Sequence, residues 1–187
     1  LAGQRRDSRR LASPGPYSLC GELKMMHINR THLLDTSALI KLVLNEYGSQ
    51  KLRTYFNDNL TFWTTSICFA EALGVLKTKH FYRSEISNKK YLASTDILIT
   101  HLRQKSISIQ DVDLTDYAIY SEIEKTSKKH GLDIADAFQL VTLKAGFPSA
   151  FDGESKTMLI TGDKRLAGAA RDENLRVWDI INEPIPA

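Results

Sequence analysis

The chain has 187 residues, 42% hydrophobic and 25% charged, with 25 Lys and Arg against 22 Asp and Glu. This is the profile of one globular domain with a sizeable core; it excludes a disordered or collagen-like chain, and with no apolar run near roughly eighteen residues it excludes a membrane span. The whole surplus of +3 lies in residues 1–24, where Arg5, Arg6, Arg9, Arg10 and Lys24 face only Asp7 and Glu22, so the rest of the chain shows no overall basic balance for nucleic acid.

Residues 1–24 combine Arg pairs, Ser and the turn Pro14-Gly15-Pro16 without the apolar core of a secretory signal, and Met25-Met26 follow them. They are expected to form a disordered basic extension, with 25–187 a single domain. Cys20 falls in the extension and Cys68 in an apolar segment, so no disulfide framework is expected and the reducing cytoplasm is the expected setting.

The alternation of short apolar runs with longer periodic segments then sets out the elements. His32-Leu33-Leu34-Asp35 predicts a buried strand, with Ser37 capping a helix from Ala38, and a second helix follows over 48–56. Thr61 to Thr64 is β-branched and aromatic, a strand by composition, and Ser66 opens a helix carrying Ala70, Leu73 and Leu76. Two helices are expected over 84–105, a strand at Ile107-Ser108-Ile109, and helices over 115–129 and 133–145 closed by Gly131 and Gly146. Thr157 to Thr161, residues 164–173 and Leu175 to Trp178 complete a strand, helix and strand unit. Buried strands alternating with helices predict an α/β fold, a three-layer α/β/α sandwich with a central parallel sheet.

In such a sheet the ligand crevice lies at the carboxyl ends of the strands. Asp35 ends the first strand and Asp163 follows Leu159-Ile160-Thr161-Gly162. Glu71 is the only charge between Ile67 and Leu76, where a buried carboxylate requires a cation; its bland reading is a position on a thin solvent stripe. Asp133 and Asp136 stand at the start of the helix Ile134 to Ala145, where both are also ordinary capping residues. If these acids converge, two carboxylates 4 Å apart repel by about 4 kcal/mol at an effective dielectric near 20, so a cluster requires protons or a metal. All-oxygen ligation selects Mg²⁺ or Mn²⁺ over zinc, and suits hydrolysis at phosphorus.

The segments Leu33-Leu34-Asp35-Thr36-Ser37-Ala38-Leu39, Glu71 in an apolar helix, Asp133-Ile134-Ala135-Asp136-Ala137-Phe138-Gln139-Leu140 and Leu159-Ile160-Thr161-Gly162-Asp163-Lys164-Arg165-Leu166 together resemble the PIN domain, in particular the VapC-type toxins of bacteria and archaea. The resemblance spans roughly residues 31–180. It implies a Mg²⁺- or Mn²⁺-dependent endoribonuclease whose four carboxylates fall on Asp35, Glu71, Asp136 and Asp163, with Thr161 and Ser37 as supporting groups and Asp133 as the neighbouring acid. It also implies an RNA substrate, a homodimer and a small antitoxin protein as partner. The apolar helices around Ile40 to Leu44 and Phe69 to Leu76 add an expectation of self-association, because they offer more hydrophobic surface than a small sheet covers.

Competing readings are weaker. Asp35 resembles the nucleophile of haloacid-dehalogenase-like phosphatases, but Ser37 stands where those need a second acid. The five histidines pair with no nucleophile elbow, and no glycine-rich phosphate loop occurs; His80, His101 and His130 are expected to face solvent. A non-catalytic RNA- or protein-interaction module remains the alternative from another class. Its binding face would be the densest basic run, Lys77, Lys79, His80, Arg83, Lys89 and Lys90, which otherwise is a solvated helix surface.

Overall fold

The computed structural model describes residues 31–59, 61–145 and 157–186. The expected extension over 1–24, Cys20 and the helix stop at Gly146 lie outside the described residues. The elements run β1 (His32–Leu34), α1 (Thr36–Val43), α2 (Ser49–Asp58), β2 (Phe62–Thr64), α3 (Ser66–Lys77), α4 (Asn88–Arg103), β3 (Ile107–Ile109), α5 (Tyr117–His130), α6 (Ile134–Ala145), β4 (Met158–Thr161), α7 (Lys164–Asp172) and β5 (Arg176–Asp179).

The five strands form one parallel sheet in the order β3-β2-β1-β4-β5. The chain travels outward from β1 through β2 to β3, then returns to the other side of β1 for β4 and β5. The direction therefore reverses between β1 and β4, the place where open α/β sheets keep their ligand crevice. With a side-chain period of two, His32 and Leu34 of β1 face one layer and Leu33 the other. Leu34, Phe62 and Ile160 pack with α1, α2, α3 and α4, whereas Leu33, Trp63 and Leu159 pack with Leu140, Leu143, Leu166 and Ala170 of α6 and α7. Ile123 of α5 joins Phe138 and Val141 of α6 in a third cluster. Each strand has only three or four residues, so the sheet depends on this two-sided burial, roughly 1.5–3 kcal/mol for each fully buried Leu or Ile.

Several expectations need correction. The cap of α1 is Asp35, two residues before Ser37, because its carboxylate accepts the backbone N–H of Ala38. Residues 84–105 hold one helix, α4, which Ser87 caps through the N–H of Lys90. Between α3 and α4 lies a π-helical turn, Thr78–Tyr82, closed by an N–H to carbonyl bond from Arg83 to Thr78 of 3.0 Å. The apolar face of α1 is not left over for a partner: Ala38 to Val43 are all buried within the chain, against α2, α3 and α4.

The three histidines expected to face solvent are packed. His80 stacks on Tyr91, His101 meets Phe56 edge-on, and the His130 side chain is only 6% exposed. Gly74 of α3 is exposed, and a Cβ there would meet no atom within 4 Å. A glycine inside a helix costs about 1 kcal/mol relative to alanine, and no packing within the chain requires it here.

A charged clamp joins three helices on the far side of the sheet. Glu173, just after α7, accepts Lys129 Nζ at 2.7 Å and His130 Nε2 at 2.7 Å from α5, and Lys144 Nζ at 2.9 Å from α6. Its side chain is 11% exposed, and the bond from Lys129, followed by those from His130 and Lys144, holds its carboxyl down at about 2. A carboxyl depressed in the fold stabilises above its ordinary range, and that stability is lost as pH falls towards the folded value. Glu173→Gln is therefore expected to lower the melting temperature at neutral pH by a few degrees, at about 2–4 °C per kcal/mol for a chain of this size. The gap from the unaltered protein should close between about pH 4.5 and pH 2 in a series of thermal melts.

Candidate active site

Two of the expected acids sit at the point where the chain reverses. β1 ends at Leu34, paired with Ile160, so Asp35 and Thr161 emerge side by side at the carboxyl ends of the two central strands. Asp35 is 3% exposed and held by three donors: its Oδ1 accepts Ala38 N–H at 2.6 Å and the Ser37 hydroxyl at 2.9 Å, and its Oδ2 accepts the Thr161 hydroxyl at 2.6 Å. Burial pushes this carboxyl up to about 6; the three hydrogen bonds pull the other way, and the charge of Asp163 adds to the rise.

The supporting hydroxyls also link the strands' ends to each other. Ser37 Oγ accepts the N–H of Gly162 at 2.7 Å, and Thr161 Oγ1 accepts that of Asp163 at 2.9 Å. This approach requires a glycine, since a Cβ at 162 would lie 3.0 Å from both Ser37 Oγ and the Lys41 side chain. Asp163 is exposed and caps α7, its Oδ1 accepting the N–H groups of Arg165 at 2.7 Å and Leu166 at 3.1 Å.

The other two acids come from helices on opposite layers. Glu71 is exposed, so the expectation of a buried charge gives way to the solvent-stripe reading: α3 turns Ala70, Glu71 and Gly74 outward and buries Cys68, Ala72 and Leu76. It is still tied to the site, because Thr36, the first residue of α1, donates its hydroxyl to Glu71 Oε2 at 2.7 Å. Beneath them Cys68 is fully buried and accepts the Thr65 hydroxyl on its sulfur at 2.9 Å; burial pushes its thiol up to about 12.

Asp136 lies in the first turn of α6, half-buried, with the Gln139 amide 3.4 Å from its Oδ1. Burial raises its carboxyl most, and then the charges of Asp133, Asp163, Asp35 and Glu71 in that order, to about 7. The four expected carboxylates and Asp133 therefore share one electrostatic field. Asp133 itself is exposed and occupied in capping, accepting the N–H of Asp136 at 2.8 Å. The sequence reading passes over Thr36 and Gln139. Thr36 had a signal, a hydroxyl directly after a strand-end acid; Gln139 had only its helical spacing from Asp136.

The chemistry of this donor set fits a hard divalent ion: several carboxylates with hydroxyl support, no thiolate or imidazole, and a mutual repulsion that a cation relieves. Among the described residues no three Asp, Glu, His or Cys side chains already form a ligand shell. The acids face one another at the range of charge repulsion, and an ion has to draw them together.

A family model described as PIN domain matches residues 32–172, more than half of the chain. Similar solved structures include PAE2754 from Pyrobaculum aerophilum, 17% identical over 76% of this chain and 86% of that one, with a TM-score of 0.51. FitAcB from Neisseria gonorrhoeae is 18% identical over 82% and 100%, with a TM-score of 0.51. FitAB bound to an IR36 DNA fragment is 16% identical over 82% and 97%, with a TM-score of 0.55. At these identities the likeness is one of fold. No curated protein matches the chain.

The raised Asp136 carboxyl makes a prediction for the metal-free protein. A group that binds its proton more tightly folded than unfolded makes stability fall as pH rises from about 4 to about 7. Asp136→Asn removes that group, so in EDTA the variant should melt at an equal or higher temperature at pH 7.5 and show a flatter pH dependence. Asp133→Asn should leave the melt nearly unchanged, since Asn caps about as well as Asp.

Proposed function

Because the chain belongs to the PIN domain family, whose members are generally nucleases that use divalent metals, we propose that it is a Mg²⁺- or Mn²⁺-dependent endoribonuclease acting through Asp35, Glu71, Asp136 and Asp163. What carries this reading is the convergence of these acids, from both helical layers, at the carboxyl ends of β1 and β4, felt as the combined repulsion on Asp136. When bound, Mg²⁺ or Mn²⁺ supplies an activated water and charge neutralisation at the phosphate.

The protein's own part is to hold oxygens towards the crevice. Asp35 is fixed by three donors and keeps acceptor capacity on Oδ2. Asp163 spends Oδ1 on the first turn of α7, and among the described residues no hydrogen bond ends on its Oδ2. Glu71 is aligned by Thr36 through Oε2 in the same way, and Asp136 meets the Gln139 amide through Oδ1. Water adds to phosphorus and the 3′ oxygen leaves, giving a 5′-phosphate and a 3′-hydroxyl.

The described histidines support this route over one through the 2′-hydroxyl. His32 bonds Thr61 and Tyr55, His80 the carbonyl of Ile86, and His130 Glu173, while His101 packs on Phe56. No helix among the described residues is long and apolar enough to cross a membrane.

We place the protein as the toxin of a toxin-antitoxin pair, acting as a homodimer in the cytoplasm. Fold likeness to FitAB and FitAcB supports the pair; the homodimer rests on the family alone, since α1 is covered within the chain. A basic side chain from a small antitoxin protein would compete for the carboxylates.

Incubation of RNA with Mn²⁺ should give cleavage that EDTA abolishes and that Asp35→Asn or Asp136→Asn reduces by about 100-fold or more, with 5′-phosphate ends on the products. Asp133→Asn should retain most activity. Cleavage that persists in EDTA, or 2′,3′-cyclic phosphate ends, refutes the carboxylate mechanism. RNA binding without cleavage returns the chain to a non-catalytic interaction module.

A further inference from the structure

Beside the acidic crevice lies a cavity of about 410 Å³, within the ordinary size range of ligand sites. It is lined by Thr36 and Glu71, by Gly74 and Val75 one turn further along α3, and by Lys79 and Arg83 of the π turn and its end. One wall is thus shared with the candidate active site, while the other carries positive charge.

Three observations say what the cavity accepts. Gly74 is exposed within a helix, carries a propensity cost and has no atom of the chain within 4 Å of where its Cβ would stand. The space it leaves open serves no packing within the chain. Lys79 is held by Glu46 at 3.2 Å and Glu85 at 2.9 Å, whereas Arg83 is 64% exposed and reaches only the already engaged Glu85, at 3.6 Å. The guanidinium of Arg83 is therefore the cation available to a ligand, and its fork suits phosphate. Between these two basic residues Phe81 and Tyr82 are 60% and 75% exposed, on a π turn of the kind that recurs at functional sites.

We infer that this cavity is a nucleotide subsite, which takes one nucleotide of the RNA strand next to the scissile phosphate, its base against Gly74 and Val75 and its own phosphate on Arg83. The inference rests on the nuclease reading for the position of the scissile bond, but the cavity's chemistry is independent of catalysis. A phosphate complements Arg83, whereas a basic peptide is repelled by it. The subsite gives the enzyme a means of choosing the residue that flanks the cut, and gives the basic run between α3 and α4 a defined contact in place of a diffuse one.

The test is binding of a fluorescent single-stranded oligoribonucleotide in EDTA, where a metal-dependent nuclease leaves it intact. Gly74→Leu, which projects a side chain into the cavity, and Arg83→Ala should each weaken binding about tenfold, while Lys128→Ala, an exposed cation on α5, changes it less than about twofold. Gly74→Ala should melt no lower than the unaltered chain and bind RNA more weakly, which separates a filled cavity from a damaged fold.

Equal losses in Arg83→Ala and Lys128→Ala, or no RNA binding by the unaltered protein, overturn the subsite. Unchanged binding in Gly74→Leu and Arg83→Ala also overturns it, leaving the cavity to a protein occupant, and Mn²⁺-dependent cleavage in that case keeps the nuclease reading alive. Binding that depends on Gly74 and Arg83 without any Mn²⁺-dependent cleavage supports the subsite and overturns the nuclease reading instead.

Discussion

The fold is arranged around one costly act, the burial of the Asp35 carboxylate at the end of the central strand. Removing a charge from water costs several kcal/mol unless donors replace the solvent, and every donor here comes from a different part of the architecture. The backbone of Ala38 supplies the N-terminus of α1, Ser37 its first turn, and Thr161 the neighbouring strand β4. To satisfy that one side chain, β1 and β4 must be adjacent, parallel and in register, and Gly162 must pass close to Ser37. The crevice is thus a by-product of solvating a buried acid with protein groups.

The same acids cap helices and face the crevice, and these roles do not compete. A carboxylate has two oxygens and about four acceptor sites. Asp163 uses one oxygen to satisfy the N–H groups that open α7, which fixes where the other one stands. A helix N-terminus also favours negative charge, offsetting part of the repulsion among clustered acids. Asp133 shows the limiting case, an acid whose printed bond serves the cap of α6 alone.

Strands and caps were legible because local chemistry determines them. Leu33-Leu34-Asp35 and Leu159-Ile160-Thr161-Gly162-Asp163 read directly as buried strands ending in an acid, and the parallel sheet follows from the alternation of elements. What was not legible depended on distant partners. Glu71 looked buried because its neighbours are apolar, yet α3 has small residues on its outer face, and Ala70 and Gly74 make an apolar sequence compatible with an exposed stripe. His130 looked solvated because it follows Lys128 and Lys129; its carboxylate partner stands 43 positions away at Glu173. The surplus of apolar surface on α1 vanished once α2, α3 and α4 closed over it, a matter of tertiary packing that no periodicity reveals.

The strand order also carries a consequence for the life of the chain. The middle of the sheet is finished late, because β4 takes its place beside β1 only after β2 and β3 have been laid down on the far side, and the bond from Thr161 to Asp35 spans 126 positions. Contacts of such separation form late and slowly. A chain emerging during synthesis carries Asp35 and Glu71 long before Asp136 and Asp163, and until the second pair arrives Asp35 lacks the hydroxyl that helps keep it in place. Whatever this crevice does to a nucleic acid, a nascent or truncated chain is unable to do, so the polysome that makes the protein is protected from it by topology alone.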